Sequence, residues 1–67
     1  MKNTMLLSAR KRAGLTQAQL AEKASISALS YQRYEYGERE PSVDTALRIA
    51  KALGTTVEQL FSASTDR

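Results

Sequence analysis

Ser27, Ser30, Gln32 and Arg33 fall close together along the chain, and two hydroxyls, a carboxamide and a guanidinium at that density are hydrogen-bonding equipment rather than a reaction centre. Cysteine and histidine are both absent. That removes disulfides, thiolate metal sites, thiol nucleophiles and imidazole bases together. A hydrolase would need a carboxylate pair, or a serine with a basic partner in a pocket, and 67 residues can hardly enclose one. The expectation is therefore no enzyme, no cofactor and no metal. Charge points to a partner instead. Residues 1–33 hold six basic residues and one acidic, whereas residues 34–67 hold four basic and six acidic. Such polarity suits a polyanion docking on one side, although a solvated charged surface gives the same net charge of +3.

Those side chains need a scaffold, and Leu15 to Gly37, LTQAQLAEKASISALSYQRYEYG, reads as two short helices and a tight turn. Thr16 can cap the first helix while Gln19 reaches back to it, and Leu15 can clasp Leu20 across the same end. Leu20, Ala21 and Ala24 then share one face, a stripe of small residues that lets a second helix approach closely. Ser27 is the next cap, with Ile26 before it and Tyr31 after it in the arrangement of a hydrophobic staple. Gly37 is the residue best able to close that helix in the left-handed conformation. Two helices joined this way are a helix-turn-helix, here at about 16–36.

Such a unit binds duplex DNA by laying its second helix in the major groove. Ser27, Ala28, Leu29, Ser30, Gln32 and Arg33 are then the candidates for reading base edges. Arg33 can donate two hydrogen bonds to guanine, meet a phosphate, or remain a solvated charge. Gln32 and Ser30 either hydrogen-bond in the groove or serve as exposed polar filler. Ala28 and Leu29 can only pack on thymine methyls, and Leu29 as an exposed apolar residue could instead mark a protein contact. Thr16 and Gln17 open the other helix, where free amides and the positive dipole end favour an anion.

The flanking chain is helical too. Met5 to Ala13 reads as a first helix with Thr4 as its cap and Gly14 closing it. Leu6, Ala9, Arg10 and Ala13 face inward; Lys11 and Arg12 face outward, where they reach the DNA flank or only solvate the helix end. Arg10 on the inward stripe is a cation that needs a partner. After the polar loop EREPS, Ser42 can cap a fourth helix with Asp44 in its first turn. Val43, Ala46, Leu47, Ala50 and Leu53 form its expected buried face, and Gly54 ends it. Thr56 and Gln59 repeat the capping box and open a last helix carrying Val57, Leu60 and Phe61. Ser62 to Arg67 is polar, with fraying expected. The result is an all-α, compact five-helix bundle spanning 1–67 as a single domain.

On LTQAQLAEKA, SISALSYQRYEYGEREPS and ALRIAKALGTTVEQLF the sequence resembles, over nearly its whole length, the small Cro/CI-type (XRE family) helix-turn-helix regulators, whose fold is that of the lambda repressor DNA-binding domain. The resemblance implies a sequence-specific, repressor-like transcriptional regulator of double-stranded DNA. It also implies that Glu35 partners Arg10 in a structural ion pair, and that Gln17 contacts the DNA backbone. Tyr36, Gly37 and Arg39 correspond to positions that meet phosphate in the family. Symmetric pairing is implied through Thr55, Val57, Glu58 and Phe61, unless Val57 and Phe61 merely close the monomer's core.

Some positions depart from the family. Ala28 and Leu29 stand where polar or basic base-reading side chains are frequent. Ser25 stands where the turn usually has glycine, at a cost of about 1–2 kcal/mol if φ is positive there. Tyr31 replaces an aliphatic residue, so its ring must be buried with its hydroxyl led to the surface or to a partner; Tyr34 reads as core. These departures keep a rival expectation alive: a helix-turn-helix used as a protein-interaction module, adaptor or antitoxin-like, with a partner in trans.

Size and composition agree with one small bundle. A core of 42% hydrophobic residues with only four aromatics should be aliphatic. No apolar run approaches the roughly 20 residues that cross a bilayer, and Met1 to Thr4 lacks a signal-peptide pattern. A cytoplasmic, membrane-free protein is the default expectation.

Overall fold

The structure is a computed structural model in which residues 2–61 are described. Five helices follow in order: α1 (Thr4–Arg12), α2 (Gln17–Lys23), α3 (Ala28–Glu35), α4 (Val43–Leu53) and α5 (Val57–Phe61). The described residues form no strand. Helix α2 packs on α3 and α4, and α5 closes the bundle against α1 and α4. The expected frayed tail, 62–67, lies outside the described residues. Among those residues, no helix is long and apolar enough to cross a membrane.

Helix starts follow the side chains able to hold free amides. The Thr16 hydroxyl accepts from the Gln19 amide at 3.0 Å, and the Gln19 carboxamide oxygen accepts from the Thr16 amide at 2.9 Å, a complete capping box. Ser27 and Ser42 cap α3 and α4 by accepting from Ser30 and Thr45. Two expectations change. The cap of α1 is Asn3, not Thr4: Asn3 Oδ1 accepts from the Leu6 amide at 3.0 Å. Its Nδ2 also donates to the Leu60 carbonyl, and its own N–H to the Glu35 carbonyl, both at 2.9 Å. One short amide thus ties α1 to α3 and α5, which a hydroxyl at position 4 could not do. The second box is only half made. The Gln59 amide donates to Thr56 Oγ1 at 3.2 Å, but the Gln59 oxygen accepts from the Thr55 hydroxyl at 2.7 Å instead of from the Thr56 amide.

Helix ends share a single device. After α2, Ile26 donates to the Ala21 carbonyl at 2.9 Å and Ser25 to Glu22 at 3.1 Å; after α3, Glu38 donates to Arg33 at 2.9 Å and Gly37 to Tyr34 at 3.2 Å. The same nested pair closes α1 at Gly14 and α4 at Gly54. This Schellman turn needs a left-handed residue at its centre. Three of the four are glycine; the fourth is Ser25, at φ 61°.

Leu6, Leu20, Ala21, Ala24, Tyr31, Ile49, Ala50 and Leu60 make the buried core, with Tyr34, Leu53, Val57 and Phe61 half-buried against it. Ala21 and Ala24 let α2 lie close to its neighbours, as their spacing predicts. Helix α4 sits differently from its expected stripe. Ala46, Ile49 and Ala50 are buried, whereas Val43 is 76% exposed and Leu47 is 53% exposed. The apolar band of α4 is wider than α2 and α5 can cover. Arg48 helps fix which side turns inward, since its Nε donates to the Ala24 carbonyl at the end of α2, 2.8 Å away. Arg48 also pairs with Asp44 one turn back.

Candidate nucleic-acid interface

Helix α3 has one locked face and one free face. On the locked face, Tyr31 and Glu35, one turn apart, are buried, and Glu35 is only 2% exposed. A buried carboxylate is tolerable only with several donors. Arg10 Nε supplies one at 2.9 Å, Gln17 Nε2 a second at 2.5 Å and the Tyr31 hydroxyl a third at 3.4 Å. Arg10 Nη1 also donates to the Leu15 carbonyl at 2.8 Å. Helices α1, α2 and α3 are therefore joined through one carboxylate. Among the described residues no buried side-chain nitrogen or oxygen lacks a hydrogen-bond partner.

The electrostatics of this cluster are fixed. Burial pushes the Tyr31 hydroxyl well above its ordinary pKa, and the Glu35 charge adds to the rise, so Tyr31 stays a proton donor. Burial opposes the charge on Arg10, but the hydrogen bond and charge of Glu35 raise its pKa overall. Arg10 remains a guanidinium engaged inside the domain.

The free face carries the side chains expected to read bases. Ser27, Ala28, Leu29 and Arg33 are exposed, while Ser30 and Gln32 are half-buried. Leu29 is 56% exposed despite being apolar. The hydroxyls are partly spent. Ser27 Oγ accepts from the Ser30 amide and donates to Ser30 Oγ at 3.0 Å, so Ser27 acts chiefly as the cap. No described side chain forms a hydrogen bond or ion pair with Arg33.

The residues expected at phosphate divide in two. Around α2, the Thr16 amide already donates to Gln19 and the Gln17 carboxamide to Glu35. An amide nitrogen carries two hydrogens, so Gln17 can still donate once more. Beyond α3, Gly37 offers only its backbone N–H, and that donates to the Tyr34 carbonyl at 3.2 Å. Its part is to make the turn at φ 76°. Arg39 and Tyr36 are exposed beside it. The Lys2 ammonium stands over the Tyr36 ring, 5.8 Å from its centre. Lys2 and Arg39 both border an open groove of about 390 Å³ that Gly37 and Pro41 also line.

The residues expected at a subunit interface are less uniform. Glu58 is exposed, and Val57 and Phe61 are half-buried against the core. The Thr55 hydroxyl is engaged by Gln59. Four residues that organise the region escaped the sequence reading: Asn3, Lys2, Arg48 and, as a partner of Glu35, Tyr31. Only the last had a visible signal, a buried phenol in need of an acceptor.

Comparison with known proteins gives a consistent outcome. The chain is 40% identical over 55 residues to the cryptic phage CTXphi transcriptional repressor RstR of Vibrio cholerae, covering 82% of this chain and 49% of that protein. It is 38% identical over 64 residues to an HTH-type transcriptional regulator of Methanothermobacter thermautotrophicus, covering 94% of this chain and 93% of that one. Against the HTH-type transcriptional regulator YqaE of Bacillus subtilis it is 33% identical over 57 residues, covering 85% and 49%. The chain thus spans about half the length of the Vibrio and Bacillus relatives and nearly all of the archaeal one. A family model described as helix-turn-helix matches residues 6–60. That match runs from the first buried leucine to the last, across every helix of the packed core, and the chain belongs to the Cro/CI-type helix-turn-helix family.

Proposed function

We propose that this protein is a sequence-specific, DNA-binding transcriptional regulator of repressor type that acts as a homodimer. The observation that carries the reading is the split character of α3. Its inner face is held by Tyr31 and Glu35, while Ala28, Leu29 and Arg33 stand exposed on its outer face. In this reading α3 enters the major groove from its Ser27 end. Arg33 reads guanine, Ala28 and Leu29 pack on thymine methyls, and Ser30 and Gln32 add hydrogen bonds. Phosphates are held by Thr16 and Gln17 on one side and by Tyr36 and Arg39 on the other, with Gly37 shaping the turn that presents them. The charge polarity of the chain supports this, as do relatives named as transcriptional regulators.

Binding should be strongly salt-dependent. Each phosphate neutralised adds about 0.9 to the slope of log affinity against log salt. Arg39→Ala should lower affinity for all duplexes alike and make that slope shallower by about one contact's worth. Fluorescence anisotropy with labelled genomic fragments measures both; a protein that binds none of them at low salt would end this reading.

The exposure of Leu29 favours one rival, a protein-interaction module with a partner in trans. Leu29→Glu separates the two. A protein-interaction module is captured by its partner in a pull-down that Leu29→Glu blocks and duplex competitor leaves unchanged, whereas a regulator shows salt-dependent duplex binding that the added carboxylate in the groove weakens.

A further inference from the structure

We infer that Lys2 is a further contact to the DNA backbone: held against the Tyr36 ring, its ammonium joins the Arg39 guanidinium in gripping phosphate beyond the end of α3. This rests on the DNA-binding reading above, and adds to its phosphate contacts a residue that lies outside the matched stretch 6–60. Lys2 belongs to no helix, yet its place is fixed by its neighbour. The Asn3 N–H donates to the Glu35 carbonyl and Asn3 Nδ2 to the Leu60 carbonyl, both at 2.9 Å, so the chain at Lys2 is tied to the last turn of α3. The segment carrying Arg39 is tied to the same turn, since the Glu38 and Arg39 amides donate to the Arg33 carbonyl at 2.9 and 3.3 Å. Two cations far apart in sequence thus border one groove.

What they can hold follows from their partners. Among the described residues neither Lys2 nor Arg39 forms an ion pair, although Glu40 borders the same groove and Glu38 precedes Arg39 in the chain. The Lys2 ammonium stands instead 5.8 Å from the centre of the Tyr36 ring, within the range of cation–π attraction. A ring does not neutralise a cation, so the charge stays available to an anion. It does limit the motion of a long side chain, and a donor already ordered loses less entropy when its ligand arrives. Tyr36 is exposed as well. A duplex backbone that meets Tyr36 and Arg39, as the proposed docking requires, therefore passes beside the Lys2 ammonium. Lysine binds phosphate as a point charge, so Lys2 adds affinity without adding sequence preference.

Fluorescence anisotropy of the full chain with labelled genomic duplexes, repeated across a salt series, tests the assignment. Lys2→Gln should lower affinity for every duplex and reduce the slope of log affinity against log salt by about 0.9. The ratio of wild-type to variant affinity should then shrink about threefold between about 50 and 200 mM salt. Lys2→Arg, which keeps the charge, should keep the wild-type slope. Urea denaturation should give all three proteins the same midpoint, because Lys2 is exposed; a purely structural role would move the midpoint and leave the slope. The part played by the ring is read in two further backgrounds. Lys2→Gln should cost as much affinity beside Tyr36→Phe as in the wild type, and clearly less beside Tyr36→Leu. A wild type that binds no duplex at low salt overturns the DNA-binding reading together with this contact. A wild type that binds, with a slope that Lys2→Gln changes no more than Lys2→Arg does, overturns the contact alone. Equal losses beside Tyr36→Phe and Tyr36→Leu overturn the positioning by the ring.

Discussion

Ser25 holds a backbone conformation of φ 61° that L-residues other than glycine enter at a cost, at the centre of the turn joining the two helices that define this family. Among the described residues its hydroxyl has no hydrogen-bond partner that would offset the strain. Ser25→Gly should therefore stabilise the domain. Relief of about 1–2 kcal/mol of left-handed strain is offset in part by the added freedom of glycine in the unfolded chain, about 0.5–1 kcal/mol. A gain near 0.5–1 kcal/mol, read by urea denaturation, is the expected outcome; a loss would mean that the serine side chain contributes something the turn geometry does not show. Tyr31 makes the second prediction at this scale. Its unfolded pKa is the ordinary 10.0 and its folded pKa lies above it, chiefly through burial and next through the Glu35 charge. Above pH 10 the native state therefore holds a proton that the unfolded chain has released. Its contribution is complete below that pH and is lost as pH rises. The wild type should lose stability faster than Tyr31→Phe above pH 10, and the two should run parallel below it. Residues were unevenly legible. Ser25 and the caps at Thr16, Ser27 and Ser42 could be read because each satisfies a local rule within four residues. Asn3 could not, because its bonds reach Glu35 and Leu60 across the fold.

Helix α4 shows why an element's existence is easier to read than its rotation. Cap, dipole residue, apolar period and closing glycine all mark a helix between Ser42 and Gly54, and the structure has one. The apolar positions form a band wide enough for two choices of inner face. Packing against α2, with Arg48 bonded to the Ala24 carbonyl, selects the side holding Ile49. Ile49→Ala should cost about 2–5 kcal/mol, as for other buried aliphatic truncations. Leu47→Ser, measured at concentrations where the protein is monomeric, should stay within about 0.5 kcal/mol of wild type. Chemical denaturation of the two variants checks the order, which would invert if Leu47 faced the core. Helix α3 was legible by a different route: Tyr31 reads as core because its ring must be buried, whereas the inward role of Glu35 followed only from the family resemblance that pairs it with Arg10, and both are buried.

At the scale of the whole molecule, a rigid inner network and a free outer edge divide the work. Arg10, Gln17, Tyr31 and Glu35 fix α3 relative to α1 and α2, so that the orientation of the outer edge is set before any partner arrives. Removing Arg10 or Glu35 leaves the other's buried charge without its partner, which typically costs about 3–5 kcal/mol. For a helical unit as small as the one described, near the lower limit of independent stability, that approaches the whole, so Glu35→Ala should be largely unfolded by circular dichroism. The fold class and the helix-turn-helix were legible because caps and closing residues recur at each helix end. The site was legible only as a set of candidates, since spacing places side chains on a face without fixing what they touch. Gln17 and Thr16 show the limit: both sit where an anion would dock, yet both have donors already engaged inside the protein.

The most direct test of the account is a selection of bound duplexes from random DNA, run side by side with wild type and Arg33→Ala. The account predicts a defined preferred sequence for the wild type, arranged as two inverted half-sites, and a loss of about 1–3 kcal/mol of discrimination at one base pair per half-site in the variant. Recovery of no preferred sequence by the wild type, or of the same preference by both proteins, would contradict it.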